Sequence, residues 1–240
     1  MTAPVQAKKK RLSIKKVDRR FAHIQPEGSW EIPRKAFHYS IGFVVIYLYL
    51  QGVDAKSIYP PLVAFLSVVL TTELMRFSSD SFNVLYCKVC GPLMRQSEVK
   101  SRINGVAYYL AGCIFATYFF PTEIAAMSII YLSWADPTAS ICGRLWGRYT
   151  PRFGKKSLAG TLGAIIIGAL VTYGFLIQHQ PLSRALAYSL YGGLVAGFSE
   201  ALGDSAGLDD NLVIPVVSSV MLWIPLVGLD SMYSPTSVHS

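Results

Sequence analysis

The sequence predicts an all-α fold, a polytopic transmembrane bundle of about seven helices, some of them short or broken. Three observations carry that expectation. The chain of 240 residues is 52% hydrophobic and only 15% charged, with mean hydropathy +0.39, whereas soluble domains carry about 25% charged residues. Apolar stretches recur at residues 37–53, 59–76, 104–120, 123–142, 159–178, 185–199 and 212–229. None alternates as a strand would, and in lipid a helix satisfies its own backbone. Several stretches fall short of the ~20 residues that cross ~30 Å of hydrocarbon, so short or broken helices are expected.

The ends are of different character. Residues 1–29 read as a disordered basic cytosolic tail, 30–230 as the membrane-embedded domain and 231–240 as a short C-terminal tail. The first 20 residues hold eight Lys or Arg and one Asp, which supply +7 of the net +8. The body is therefore nearly neutral, and the basic balance implies no nucleic-acid partner. No apolar run opens the chain, so no secretory signal is expected. The tail suits a topology anchor touching anionic headgroups, at about 1 kcal/mol per basic residue. Ser13 within it is a candidate phosphorylation site, whose added charge would weaken that attraction.

Parity organises the loops. With the tail cytosolic, seven crossings put loops 77–103, 143–158 and 200–211 on the same side. Those loops and their flanks hold Arg76, Lys88, Arg95, Lys100, Arg102, Arg144, Arg148, Arg152, Lys155 and Lys156, while the opposite side has Lys56 and Arg184. That is a positive-inside bias. Every charged island of the body then opens on one face, where a single site can assemble.

The first island is Trp30 to His38. Pro33 suits a helix's first turn, which places Arg34 and His38 on one face, four residues apart. Arg34 and Lys35 read either as ligand-binding cations or as anchors snorkelling to the interface. The second island, Ser133 to Gly160, gathers Asp136, five bases and the glycines Gly143, Gly147, Gly154 and Gly160. Asp136 followed by Pro137 reads as an N-cap and first helical residue, so a helix is expected to break and restart there with its N–H groups toward an anion. An ionisable residue at membrane depth is a functional candidate by default. The stretch is not a P-loop: six residues separate Gly147 from Gly154 where that motif has four, and the ending is G-K-K-S. What remains is a basic, glycine-rich loop entering a helix capped by Ser157, which suits polyphosphate.

The third island, Ser199 to Pro215, carries Glu200, Asp204, Asp209 and Asp210, followed by Asn211. Topology does not require acids there, whereas Mg²⁺ held by one or two carboxylates plus substrate phosphates does. Cys87 and Cys90 have zinc or redox spacing but no second pair, so they are read as structural. Gly193 with Gly197, and Ala164 with Gly168, read as close helix packing.

Taken in order, E31-I-P-R-K-A-F-H38, Y86-C through G91-P-L-M-R95, N104-G-V106, L132-S-W-A-D-P-T-A-S-I-C-G-R-L-W-G147, K156-S-L-A-G160, S199-E200 and D209-D-N-L-V-I-P215 resemble the CTP-dependent lipid kinases related to dolichol and phytol kinase, and most closely the fungal diacylglycerol kinases. The resemblance covers about residues 30 to 220. It implies transfer of the γ-phosphoryl group of CTP to a lipid hydroxyl, that of diacylglycerol, with a divalent cation (Mg²⁺, or Ca²⁺) at the endoplasmic reticulum membrane and nuclear envelope. Arg34, Lys35, Asp136 and Gly143 match positions that the family relies on. In that frame Asp136, Arg34, Lys35 and Glu200 are the catalytic candidates. Gly143, Arg144, Gly147, Lys155, Lys156, Ser157 and Gly160 are expected to bind nucleotide phosphate. His38 and Asn211 would orient substrate, and Asp136, Asp209 and Asp210 would hold the metal. The alternatives are a polyprenol kinase, a cytidylyltransferase making a CDP-lipid and, in another class, an ion-coupled transporter. Oligomeric state is not legible in the sequence.

Overall fold

A computed structural model describes residues 19–26, 28–100, 102–205 and 209–229. The architecture is the expected helical membrane bundle. Helix α1 (Ile32–Leu50) has Pro33 in its first turn, and α2 (Ala55–Ser78) starts where Asp54 accepts the Lys56 N–H at 3.1 Å. Next come α3 (Asp80–Cys90), capped by Ser79, and α4 (Gly105–Phe119), capped by Asn104. Helix α5 (Thr122–Ile130) runs through a π-helical segment (Tyr131–Ala135) directly into α6 (Asp136–Trp146). A two-residue hairpin, β1 (Arg152–Phe153) with β2 (Lys156–Ser157), leads into α7 (Leu158–Leu176). Helices α8 (Leu182–Ser205) and α9 (Asp210–Trp223) follow, and α9 continues as a π segment (Ile224–Leu229).

The continuous α5–π–α6 helix is the hub. From Ile124 to Ser133 its side chains are buried all round, enclosed by α1, α4, α7 and α9. A helix apolar on every side belongs in such a position. The outer helices show the inverse pattern: on α8, Leu182, Leu186, Leu190, Leu194 and Phe198 repeat every fourth residue and all are exposed, as are Leu162, Ile166 and Leu170 on α7. These stripes are the lipid-facing surface. Helices α2, α7 and α9 with its extension are each long and apolar enough to cross a membrane, and α4 is a shorter apolar helix. Small residues join α7 to α8, where a Cβ on Gly193 would meet the Ile165 carbonyl at 2.7 Å. The glycine pairs are packing devices, as their spacing predicts.

Four expectations change. Residues 19–26 do not belong to a free tail: Phe21 and Ile24 are buried with Cys87, Met94 and Val99, and the Gln96 amide donates to both the Phe21 and Ile24 carbonyls at 3.2 Å. Two apolar side chains among basic neighbours were too weak a pattern to signal this. Residues 1–18, including Ser13, lie outside the described residues. Loop 77–103 contains the extra helix α3, whose amphipathic pattern is too short for a crossing. The basic loop contains a hairpin, turned by Gly154 at φ 63°, a conformation that favours glycine.

The fourth change concerns Asp136. It is not a cap at a broken helix but sits in right-handed helical conformation, φ −60° and ψ −54°, with its N–H bonded five residues back to the Tyr131 carbonyl. The wider π turn lets the helix pass Pro137, which has no N–H to donate and would crowd the carbonyl of a regular turn. In this register the Leu132 carbonyl faces the proline five residues on and has no helical partner. The His38 ring of α1 faces it.

At the loop end of α2, Glu73 and Arg76 form a buried pair, with Arg76 Nε 3.0 Å from Glu73 Oε1 and Nη2 2.5 Å from Oε2. Arg76 also donates to the carbonyls of Glu98, Val99 and Arg102, so it holds the 98–104 loop rather than acting as a surface topology charge. Removing one partner strands a buried ion. Glu73→Ala is expected to destabilise the fold by about 3–5 kcal/mol, read as a lowered thermal midpoint in detergent.

Candidate active site

All three charged islands meet at the end of the bundle where α1, α4, α7 and α9 begin and α6 ends. They enclose a polar cavity of about 1190 Å³. Nine Lys and Arg side chains face five Asp and Glu along its walls, so the cavity is a basic basin for an anion. Arg34, Lys35, His38, Asp136, Gly143, Arg144, Lys155, Lys156, Ser157, Asp209, Asp210 and Asn211 all line it.

Arg34 is buried, and its Nη1 donates to Glu98 Oε1 at 3.1 Å. Glu98 in turn accepts the Arg95 N–H at 3.0 Å. Lys35 donates from Nζ to the Trp30 carbonyl at 2.7 Å, and Arg144 reaches the Gly28 carbonyl at the same distance. Residues 28–31 thereby tie α1 to α6. Arg95 Nε lies 3.1 Å from both carboxylate oxygens of Glu31.

Gly105 explains how α1, α4 and α9 approach so closely. The Asn211 amide donates to its carbonyl at 3.2 Å, and a Cβ there would lie 2.6 Å from Arg34 Nη2 and 2.9 Å from Asn211 Nδ2. Gly105→Ala is expected to displace the guanidinium and lower kcat/KM by about 10²-fold with expression retained. A steady-state assay of the purified variant checks it.

Opposite Arg34, Lys156 on β2 donates to Glu200 Oε1 at 2.9 Å and Asp210 Oδ2 at 3.0 Å. Burial works against its charge, but the carboxylates of Asp210, Asp136 and Glu200 outweigh burial and hold the ammonium above the ordinary lysine value of 10.5. A raised folded-state value means that its stabilisation is complete below the ordinary value and is lost only above it. It is constant through neutral pH. Asp136, half-buried on α6, faces Lys156, Glu200, Arg95 and Arg34. Ser157 caps α7, its Oγ accepting the Gly160 N–H at 3.3 Å, so the α7 N-terminus opens on the basin with its partial positive charge.

Some candidates sit elsewhere. Gly147 and Gly160 are not on the cavity wall: a Cβ on Gly160 would press the Ala139 carbonyl at 2.9 Å, and one on Gly147 the Ser157 hydroxyl at 2.8 Å, so both serve the packing of α6 and α7. Glu200 is buried behind Lys156. Asp209 does line the cavity, but its Oδ1 caps α9, accepting the Asn211 N–H at 3.0 Å. Glu31, Arg95, Glu98 and Arg102 face the cavity but escaped the site assignment, because loop charges in a membrane protein read first as topology signals. Glu98, an acid among bases in the 77–103 loop, was the available clue.

The donor set fits a divalent cation carried with phosphate. Asp210 Oδ1 is buried with no hydrogen-bond partner among the described residues, and Asp136 shares its cavity. Mg²⁺ takes one or two carboxylates together with substrate phosphates. Among the described residues no group of three or more ligating side chains forms a protein-only cage, so Asp136, Asp209 and Asp210 do not make up one by themselves. Cys87 and Cys90 carry free thiols, pushed up by burial.

Fold and site together define a multi-pass membrane protein with a basic, carboxylate-containing basin at one membrane boundary. Comparison narrows this. The CTP-dependent diacylglycerol kinase 1 of Schizosaccharomyces pombe is 45% identical over 204 residues, covering 81% of this chain and 93% of its own length. That of Saccharomyces cerevisiae is 39% identical over 211 residues, 80% of this chain and 72% of its own. A probable chloroplastic phytol kinase 3 of Glycine max is 28% identical over 135 residues, 52% and 42% of the two chains. The chain belongs to the CTP-dependent diacylglycerol kinase family. No family model and no solved structure matches it.

Proposed function

We propose that this protein transfers the γ-phosphoryl group of CTP to diacylglycerol, giving phosphatidate and CDP. The observation that carries the proposal is the convergence of the three islands on one basin at the membrane boundary, where a water-soluble triphosphate and a lipid headgroup can meet. Such transfers depend on positioning and charge stabilisation more than on covalent chemistry by the protein.

Arg34 and Lys35 on one wall, with Arg144, Lys155 and Lys156 on the other, clamp the triphosphate. The Ser157 cap and the first N–H groups of α7 add donors, and Gly143 leaves room beside them. Asp136 and Asp210 would hold a divalent cation, which would supply neutralisation of the triphosphate's charge when bound. Glu200 keeps Lys156 in place. Asn211 and His38 orient the acceptor. Preference for cytosine rests on the kinship with the fungal enzymes, as does placement in the endoplasmic reticulum and nuclear envelope. The positive-inside bias supports a cytosolic N-terminus and basin.

Purified protein in mixed micelles, given each nucleoside triphosphate with diacylglycerol, dolichol or phytol, tests the assignment. Phosphatidate formed from CTP and diacylglycerol, above every other pairing, is the expected result. A preference for a polyprenol would move the protein to the neighbouring branch, and nucleotide-independent ion flux in liposomes would support the transporter alternative.

A further inference from the structure

A second cavity, of about 290 Å³, lies within the bundle. Val45 and Leu48 of α1, Leu62 of α2, Cys113 of α4, and Ala126 and Ile129 of α5 are among its walls. Arg34, His38 and Asn211 line both this cavity and the basic basin, so the two adjoin at those side chains. We propose that the apolar cavity is the acceptor-lipid site: it takes one acyl chain of diacylglycerol from the bilayer and delivers the lipid hydroxyl to His38. The proposal rests on the kinase reading and locates its lipid half.

Adjacency to the basin and three further observations argue for a lipid chain. The first is access. Helix α1 packs on α5 and the π segment, and α2 on α4 and α3, while α1 and α2 are not a major packing pair despite being consecutive. Val44 and Phe65, one from each helix, line the cavity yet are exposed, so the groove opens sideways toward hydrocarbon.

The second is length. From His38 to Leu48 the groove follows α1 for about 15 Å, half of the ~30 Å hydrocarbon thickness. That is the depth one leaflet's chain occupies.

The third is the chemistry of its polar end. The His38 ring faces the Leu132 carbonyl, which the π turn and Pro137 leave without a helical partner and to which one ring N–H can donate. In neutral imidazole the other nitrogen is then an acceptor. Tyr109 packs edge-on against the ring, centroids 5.2 Å apart, and fixes its plane. In the transfer step the lipid hydroxyl oxygen bonds to the γ-phosphorus. The bond from that phosphorus to the β,γ-bridging oxygen breaks with its electron pair on CDP, and the hydroxyl proton passes to His38.

Two measurements test this. The full chain in nanodiscs is illuminated with a diacylglycerol bearing a diazirine at the end of one acyl chain, and adducts are mapped by mass spectrometry. Adducts in the α1–α2–α4–α5 groove are expected; labelling confined to the outer faces of α7 and α8 would overturn the assignment. Ala126, about 15 Å along the hub from Asp136, lines the deep part of the groove. Ala126→Phe should lower kcat/KM for dioleoylglycerol at least about tenfold while dioctanoylglycerol, too short to reach it, loses no more than about threefold. KM for CTP should hold. Equal losses on both lipids count against the groove. The photolabelling needs no turnover, so groove adducts on a wild-type protein that phosphorylates no diacylglycerol would sink the kinase reading and leave the lipid site standing.

Discussion

Asp136→Asn lowers phosphoryl transfer by on the order of 10³-fold, with the fold intact. The substitution keeps size and removes charge. Asp136 sits half-buried at the outlet of the π segment, and the charges acting on it include the cations Lys156, Arg95 and Arg34. Its backbone is held by the bond to Tyr131, so the amide will occupy the same place. What disappears is a hard anionic oxygen for a divalent cation. The expected signature is a fall in kcat with a higher Mg²⁺ requirement and an unchanged thermal midpoint. Full activity in the variant would show that the carboxylate has no part in the reaction.

Lys156→Ala has two effects that can be separated. It removes a cation from the triphosphate clamp, and it leaves Glu200 and Asp210 without the ammonium that both contact. Breaking a buried ion pair by deleting one partner costs about 3–5 kcal/mol, and Lys156 and Glu200 are well sheltered, with side-chain exposures of 15% and 5%. The single variant should therefore melt early and lose activity. Adding Glu200→Gln and Asp210→Asn removes the stranded charges, so the triple variant should recover most of the thermal midpoint and none of the activity. Recovery of activity along with stability would reduce Lys156 to a structural ion pair.

The membrane architecture was legible because lipid imposes it: each apolar stretch reappears as a helix with ends shifted by a few residues, and the charge parity of the loops put the islands on one face. Much of the cavity wall could be named for the same reason, since a charge that topology does not need stands out in a greasy chain. The failures have physical causes. Asp136-Pro137 carries the sequence pattern of a cap, and only the π turn, a register change with no sequence signature of its own, lets a helix continue through it. Gly147 and Gly160 look like phosphate-loop glycines but are required where α6 meets α7, a contact set by tertiary packing. Glu98 was hidden because its role depends on Arg34, 64 residues away. The apolar groove left no trace in the sequence, since its walls are ordinary membrane-helix residues and only the gap between α1 and α2 makes them a site.

The most direct measurement is to give the purified protein CTP labelled at the γ- or at the α-phosphate, with diacylglycerol and Mg²⁺, and to follow label into lipid. Label from the γ-position alone, appearing as phosphatidate with CDP released in equal amount, is the predicted result. Label from the α-position would mean cytidylyl transfer, and lipid that takes up neither would contradict the assignment of this basin to phosphoryl chemistry.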